Sequence, residues 1–378
     1  ALTRHYLDRL PQRPKLMKRL KEVANYEKVS TPFKRHGTWY VYKNNGLQNQ
    51  SVLYKMDKLG GTLHEVLDPN KLSSDGTVAL KSVSFSHNGR YMAYIVSRNG
   101  SDWQEIYVKD LEIEQDLTDH IEWAKFSNAA WRGDGFYYSA YDAPTGHAFT
   151  SKNEVHKIYY HKLGTPQSED ELFYQNPAFP LRFYDVIVNK EETVMYLTES
   201  GEGSGNNLYV RDLRRPDTQF VQMTNDMTLQ YSPVQTVGDS IYIFTNAGAQ
   251  KNRLMLANLA KPGIKDWKVL VPEAEYVLDD VTFTHGKMVL NYSKDASSHC
   301  YLYTLEGRNI GENKLPSVGS VSFSGERNEP ECFFSFSSFT VLSTNDAALH
   351  CCLLPQMFTT KFLRSVVPWV VWNTSGWN

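Results

Sequence analysis

The chain has 378 residues, of which 41% are hydrophobic and 22% are charged, and its formal net charge is −2. This composition is typical of a folded globular protein, and it shows no charge excess that would indicate nucleic acid or a membrane surface as a partner. No run of 18 apolar residues is present, so the sequence predicts no membrane-spanning helix.

The first 28 residues follow a helical pattern. After an apolar lead-in at Tyr6, Leu7 and Leu10, apolar residues recur at helical spacing between basic ones, at Leu16, Met17, Leu20, Val23 and Ala24. We predict one short amphipathic helix in a separate segment, 1–28. Its basic face has two interpretations: a contact for a membrane or an acidic partner, or the solvated side of a helix docked on a larger body. We favour the second.

From residue 29 the helical period gives way to strand patterns. Three alternating apolar runs, Trp39–Tyr42, Ser51–Met56 and Leu63–Leu67, follow one another, with Asn45–Gly46 in the first connection. They predict a three-strand antiparallel meander. The 23 Tyr and 18 Phe of the chain also favour strands, because aromatic rings pack well on a pleated surface.

The same strand pattern recurs along the chain. Repeat units open near Tyr40, Tyr91, Phe136, Val194, Ile241, Met288 and Phe333, at separations of 51, 45, 58, 47, 47 and 45 residues. A sheet unit of this length, repeated about seven times, is typical of a β-propeller. The sequence therefore predicts an all-β fold, a seven-bladed β-propeller over 29–340 after the short helical segment.

The last unit departs from the pattern after residue 340. Residues 341–378 contain only three charged side chains, Asp346, Lys361 and Arg364, while three of the eight tryptophans lie in the final ten positions. We interpret 341–378 as an atypical tail from a frameshift or truncation, which leaves the last blade incomplete. A genuine closing strand followed by a hydrophobic, partner-binding tail is the alternative.

The sequence contains no complete catalytic or metal-binding motif. GEGSG at 201–205 is out of register with the Gly-x-Ser-x-Gly nucleophile turn and is predicted to be a loop. His156 and His161 fall at opposite ends of one predicted strand, and the carboxylates at 169–171 and 279–280 are interpreted as solvated turns. The four cysteines, at 300, 332, 351 and 352, are predicted to be free thiols, with a redox or metal role for the vicinal pair as the alternative. We expect no cofactor and no metal.

Several phrases in the sequence resemble one known family. These are NNGLQNQSVLY (44–54), VLDPNKLSSDGTVAL (66–80), GSDWQEIYVKDL (100–111), IEWAKFSNAAWRGDGFYYSAY (121–141), KIYYHKLGTPQSEDELFY (157–174) and WKVLVPE (267–273). They resemble the propeller of the prolyl oligopeptidase family, and the resemblance extends from the start of the chain to about Thr340.

The resemblance implies a propeller that forms a lid over an α/β-hydrolase domain. That domain would carry the Ser, Asp and His of a serine endopeptidase that cleaves short peptides after proline. No part of this chain resembles the triad-bearing segment, so we expect the chain alone to be inactive. The implied partners are short proline-containing peptides in the full-length parent, and the implied state is a monomer with an exposed face where the hydrolase domain would dock. Cytoplasm and periplasm both stay open as compartments.

Three residues match family positions near the substrate. Phe126, in AKFSNAAW, matches an aromatic residue that faces the substrate region, with a core Phe of an inner strand as the alternative. Glu199 and Glu202 stand where mammalian members have an arginine and a cysteine, so the resemblance implies a substrate-facing loop with altered chemistry. The alternative function is a stand-alone propeller that binds a peptide or protein partner without catalysis.

Overall fold

The chain forms two short helices followed by a series of antiparallel sheets in a computed structural model. The structure describes residues 2–144, 146, 152–315, 317–329 and 331–338, together with the backbone of 348–350. Apart from that short backbone stretch, the predicted tail 341–378 lies outside the described residues, as do Cys351 and Cys352. Within the described part of the chain, no helix has both the length and the apolar character needed to cross a membrane.

The N-terminal segment holds two helices, α1 (Leu2–Asp8) and α2 (Arg13–Ala24). The prediction of one helix was wrong, because the apolar lead-in is itself helical. Pro11 lies between the two helices, where its missing N–H and the restricted backbone before it favour a break. Neither helix contains a buried residue, and Leu16 and Leu20 are 59% and 58% exposed. The favoured docking of this helix on a larger body is therefore not made within the described chain.

The first sheet contains the predicted meander. Its strands are β1 (Lys28–Val29), β2 (Phe33–Arg35), β3 (Thr38–Asn44), β4 (Val52–Met56) and β5 (His64–Leu67). β3, β4 and β5 pair antiparallel in that order, while β1 and β2 both pair with β3. In the β3–β4 connection, Gly46 has a φ of +127° and donates its N–H to Asn44 Oδ1 at 2.9 Å. The three-strand prediction is confirmed.

The second sheet has eight strands. They are β6 (Val78–Phe85), β7 (Tyr91–Arg98), β8 (Gln104–Asp110), β9 (Gln115–Ala124), β10 (Ala130–Arg132), β11 (Gly135–Ala140), β12 (Lys157–Lys162) and β13 (Glu171–Gln175). The four strands β6–β9 form one meander and β10–β13 form another. A single residue pair, Ala124 with Ala140, joins the two meanders.

Three separate four-stranded meanders follow, each paired in chain order. Their strands are β14 (Phe183–Val188), β15 (Val194–Ser200), β16 (Asn206–Asp212) and β17 (Val221–Gln222); β18 (Tyr231–Val237), β19 (Ser240–Thr245), β20 (Arg253–Asn258) and β21 (Lys268–Val271); and β22 (Val277–Thr284), β23 (Lys287–Lys294), β24 (Ser297–Thr304) and β25 (Asn309–Asn313). The last described sheet has three strands, β26 (Ser320–Gly325), β27 (Glu331–Ser337) and β28 (Ala348–His350). Single 3₁₀ turns occur at Pro69–Lys71, Gln167–Glu169 and Ile264–Asp266.

The predicted opening positions all lie on strands, and after the first sheet each lies one strand later than the start of its meander. Tyr91 lies on β7 and Phe136 on β11, and each of these is the second strand of its meander. All six residues of β11 are buried, as are six of the eight in β7. A strand covered on both faces has the strongest apolar signal, so the sequence pattern marks it rather than the more polar first strand.

Neighbouring sheets pack face to face and share apolar cores. Tyr40 and Leu53 of the first sheet pack with Met92 and Tyr94 of the second. The last sheet also packs on the first, because Phe333 lies in one cluster with Trp39, and their rings meet edge to face at 5.5 Å. A series of meanders whose last member returns to its first is the architecture of a β-propeller, with few helices.

At one end of the sheets, hairpin turns from distant meanders meet in ion pairs. Glu326, in the β26–β27 turn, pairs with Arg35 of β2 at 2.6 Å and with Lys190 of the β14–β15 turn at 3.3 Å. Arg327 pairs with Glu191 of the same β14–β15 turn at 2.9 Å. The meander of β14–β17 is not a sequence neighbour of the last sheet, so these turns meet across the centre of the ring.

Candidate functional site

Phe126 lies in the loop between β9 and β10, at the end of the sheets opposite to the paired hairpin turns. Its ring is 55% exposed and packs edge to face on Phe183 at 4.9 Å, so the core alternative for this residue was wrong. The backbone of Phe126 has a φ of +51°, and Trp123 nearby has +61°. Bulky residues adopt this left-handed region at a cost of about 1–3 kcal/mol, and such strain is concentrated at functional sites.

Glu199, near the end of β15, is buried and fully hydrogen-bonded. Its Oε1 accepts from Arg182 at 3.0 Å and from the Tyr184 hydroxyl at 3.2 Å, while its Oε2 accepts from Asn207 at 3.0 Å and from the Tyr209 hydroxyl at 3.1 Å. Burial raises the pKa of this carboxyl, but the hydrogen bonds from Asn207, Arg182 and Tyr209 outweigh burial and hold the pKa below its ordinary value. Glu199 therefore lies behind Arg182 and not on the surface.

Glu202 lies in the Gly-rich loop between β15 and β16, where the sequence predicted a loop. Both of its oxygens accept from Arg182, from Nε and from one terminal nitrogen, each at 2.8 Å. Its side chain is 53% exposed, and the hydrogen bond from Arg182 lowers the pKa of the Glu202 carboxyl. The Arg182 guanidinium is thus bound by two carboxylates, Glu202 on its solvent side and Glu199 on its buried side.

Arg182 donates hydrogen bonds to two of the predicted residues, Glu199 and Glu202, and the sequence did not identify it. Its side chain is 12% exposed, and its guanidinium carbon lies 3.5 Å from the centre of the Phe179 ring. The antiparallel pairing of Phe183 with Ser200 puts Arg182 beside the loop that follows β15. Only the strand register of this hairpin shows that Arg182 lies beside Glu199, because the two residues are 17 positions apart in the sequence.

Together these residues form one cluster at one end of the ring, which we call the aromatic–arginine site. It consists of Phe126, Phe179, Arg182, Phe183, Glu199 and Glu202. Phe183 lies between Phe126 and Arg182, so the structure brings all three predicted residues into one site. Asp185 follows on the same face of β14 as Phe183. Burial raises the pKa of Asp185 to about 6, against hydrogen bonds from the Asn128 amide at 3.4 Å and from the Val186 backbone, which lower it.

The sequence comparisons match the propeller. A family model described as "Prolyl oligopeptidase, N-terminal beta-propeller domain" matches residues 1–344. The chain belongs to this family. It is 37% identical to a prolyl endopeptidase of Elizabethkingia meningoseptica over 340 residues, which cover 89% of this chain and 48% of that protein. It is 29% identical to a dual function macrocyclase-peptidase of Amanita bisporigera, with coverage of 91% and 51%.

Solved structures from the prolyl oligopeptidase family give the same result. Prolyl oligopeptidase B from Galerina marginata, bound to a 35mer hydrolysis and macrocyclization substrate, is similar with a TM-score of 0.82 at 28% identity. The match covers 90% of this chain and 51% of that one. The chain thus spans about half the length of the relatives it matches.

No Ser–His–Asp arrangement occurs among the described residues of this propeller. His161 has a carboxylate on each ring nitrogen, Asp170 on Nδ1 at 2.7 Å and Asp119 on Nε2 at 2.9 Å, so it cannot act as a base for a serine. His156 is buried, with Nε2 donating to the Lys125 carbonyl at 2.8 Å and Nδ1 accepting from the Tyr184 N–H at 3.0 Å. Both histidines are structural.

The structure agrees with some of the predictions for the carboxylates and thiols and contradicts others. Asp170, predicted to lie in a solvated turn, has a side chain that is only 1% exposed, because it accepts hydrogen bonds from His161 and from the Tyr138 hydroxyl. Asp279 and Asp280 lie on β22 and are exposed, so they are solvated but not in a turn. Cys300 is a free thiol, as predicted, and both Cys300 and Cys332 are buried. In the described ranges, no three His, Cys, Asp or Glu residues are arranged to hold a metal ion.

Proposed function

We propose that this chain is the propeller portion of a prolyl oligopeptidase-type serine endopeptidase, and that it controls the access of short peptides that are cleaved after proline. The observation that carries the proposal is the family match over residues 1–344. The site supports it, because a strained and exposed aromatic residue near the exposed Glu202 carboxylate gives a peptide both a ring to pack on and a hydrogen-bond acceptor. In this proposal Phe126 and Glu202 face the peptide, and Glu199 positions Arg182.

We also propose seven blades for the propeller, with domain limits at 29 and 340. The eight-stranded sheet supports this number, because its two four-stranded meanders are joined by only one residue pair. The described cores agree with it: one cluster lies between those two meanders, with Ile95 and Phe136 among its members, and another lies between the last and first sheets. Counted in this way, β26–β28 form the seventh blade.

The N-terminal helices support a larger assembly. Apolar side chains of α2 lie on its surface: Leu16, Met17, Leu20 and Val23 are between 44% and 59% exposed. Exposed apolar faces of this kind mark contact surfaces. We propose that this face packs against the hydrolase part of the full-length protein. A separate protein partner, the alternative function, would use the same face.

The chain by itself is expected to hydrolyse no proline-containing peptide. A propeller that positions a peptide without nucleophile, base and oxyanion hole lacks the groups that supply the rate enhancement. The measurement is release of a fluorescent group from a blocked peptide with proline before the scissile bond. The full-length prolyl endopeptidase of E. meningoseptica serves as the positive control. Turnover that co-purifies with the chain and is blocked by a serine-directed reagent would contradict the proposal.

A further inference from the structure

The charge of the aromatic–arginine site is unbalanced at its surface. Three nitrogens of Arg182 donate to carboxylates: Nε and one terminal nitrogen to Glu202, and the other terminal nitrogen to Glu199. One guanidinium thus faces two carboxylates, which leaves one excess negative charge. Glu199 is buried and has three further donors, so the excess falls on the exposed Glu202.

The cation beside Phe126 does not offset this excess. Lys125, the cation beside Phe126, is 13% exposed and lies 3.8 Å from a carboxylate of its own, Asp102. Asp185, on the same face as Phe183, adds a further carboxyl group. The groups of this site therefore carry a net negative charge, while the whole chain has a net charge of only −2.

The rim of the site is apolar and exposed. Phe126 is 55% exposed, Phe179 is 41% exposed and Leu181 is 58% exposed. A long aliphatic stem that lies on this rim would carry its end group to the carboxylate of Glu202. Lysine and arginine side chains have this combination of an apolar stem and a cationic head.

We propose that Glu202 makes this site selective for charge, so that it accepts peptides with a cationic side chain near the proline and rejects those with an anionic one. The inference rests on the proposed function, because it assumes that peptides reach this site. An anionic side chain meets Glu202 without a free cation, since the Nε edge of Arg182 is already occupied. Glu202→Gln removes the excess charge and leaves an N–H of Arg182 for a ligand carboxylate, because the amide has one accepting oxygen instead of two.

The test measures peptide binding to the chain itself. The tryptophans are labelled as 5-fluorotryptophan, and binding is detected by ¹⁹F NMR. Trp103 and Trp123 meet edge to face at 5.4 Å, and Lys125 lies over Trp103, so both indoles report on the Phe126 loop. Three blocked proline-containing pentapeptides are compared, identical except for Lys, Gln or Glu on the N-terminal side of the proline. Trp267, in another meander, is the internal reference.

The lysine peptide is expected to bind the wild-type chain about fivefold more tightly than the glutamate peptide at low salt. Glu202→Gln should reduce this ratio to below about twofold, and salt should reduce it in the wild type. Glu112→Gln is the matched control: it removes one exposed carboxylate from the turn before β9, at the opposite end of that strand, and should leave the ratio unchanged.

Two results overturn the inference, and they differ in meaning. If all three peptides bind with equal affinity, peptides reach the site but Glu202 does not select among them, and only this inference fails. If no peptide shifts the Trp103 or Trp123 signals at millimolar concentration, the site does not face peptides and the proposed function fails with it.

Discussion

Replacing His161 with leucine is expected to destabilise the chain by about 3–5 kcal/mol. His161 is fully buried between Asp119 and Asp170, whose side chains are 2% and 1% exposed. Both ring nitrogens must donate to satisfy the two carboxylates, which requires the imidazolium form. Leucine has a similar volume but leaves two carboxylates buried without their shared cation. The measurement is the midpoint of urea unfolding at pH 6, with the slope held constant.

The control for this variant is the triple change Asp119→Asn, His161→Leu and Asp170→Asn. The amides remove the buried charges while Gly164 and Tyr138 still donate to these positions. Most of the lost stability should return, because the cost comes from unpaired charge and not from the missing ring. A loss under 1 kcal/mol for His161→Leu, or a triple variant no more stable than the single one, would contradict this account.

The pH dependence gives a second check on His161. Burial lowers its pKa, but hydrogen bonds and charges from Asp170 and Asp119 outweigh burial and raise the pKa above its ordinary value. The stabilisation is therefore complete below the unfolded pKa of about 6.5 and is lost as the pH rises through the folded pKa. The free-energy gap between wild type and His161→Leu should narrow as the pH increases above 6.5. A gap that widens with pH would show that neutral His161 is the stabilising form.

Trp39→Ala is expected to cost about 3–5 kcal/mol and to loosen the contact between the first and last sheets. Trp39 is 7% exposed and packs with Val41, Met56 and Phe333. This cluster joins two sheets whose residues are almost 300 positions apart in sequence. Short-range connectivity of the chain therefore does not hold the two sheets together, and the side-chain contacts must do so. Amide hydrogen exchange should therefore speed up in β2 and β27 before it does so elsewhere.

Trp267→Ala is the matched control for Trp39→Ala. Trp267 is 8% exposed and packs on Tyr231 in a core shared by adjacent meanders. Its loss should cost a similar free energy but leave exchange in β2 and β27 unchanged. Equal loosening of β2 and β27 in both variants would mean that the contact between first and last sheets has no separate role.

The sequence identified several residues of the candidate site, but not the contacts between them. Phe126, Glu199 and Glu202 were identified from the family resemblance, and the Gly-rich loop at 201–205 from its composition. The resemblance could not show that Glu199 is buried, since the residue that covers it, Arg182, lies just before the preceding strand, β14. Nor could the sequence show whether Phe126 lies in the core or on the surface, because its exposure depends on a left-handed loop backbone.

The sequence by itself determined the strands, their repetition and the family. Alternating apolar residues and turn residues such as Asn45–Gly46 act over a few positions, so a local pattern suffices for them. Only the tertiary structure decided which charged groups meet. The Arg182–Glu199–Glu202 and Asp119–His161–Asp170 networks each join residues from different elements. Their contacts depend on strand register and on packing, which one-dimensional spacing does not encode.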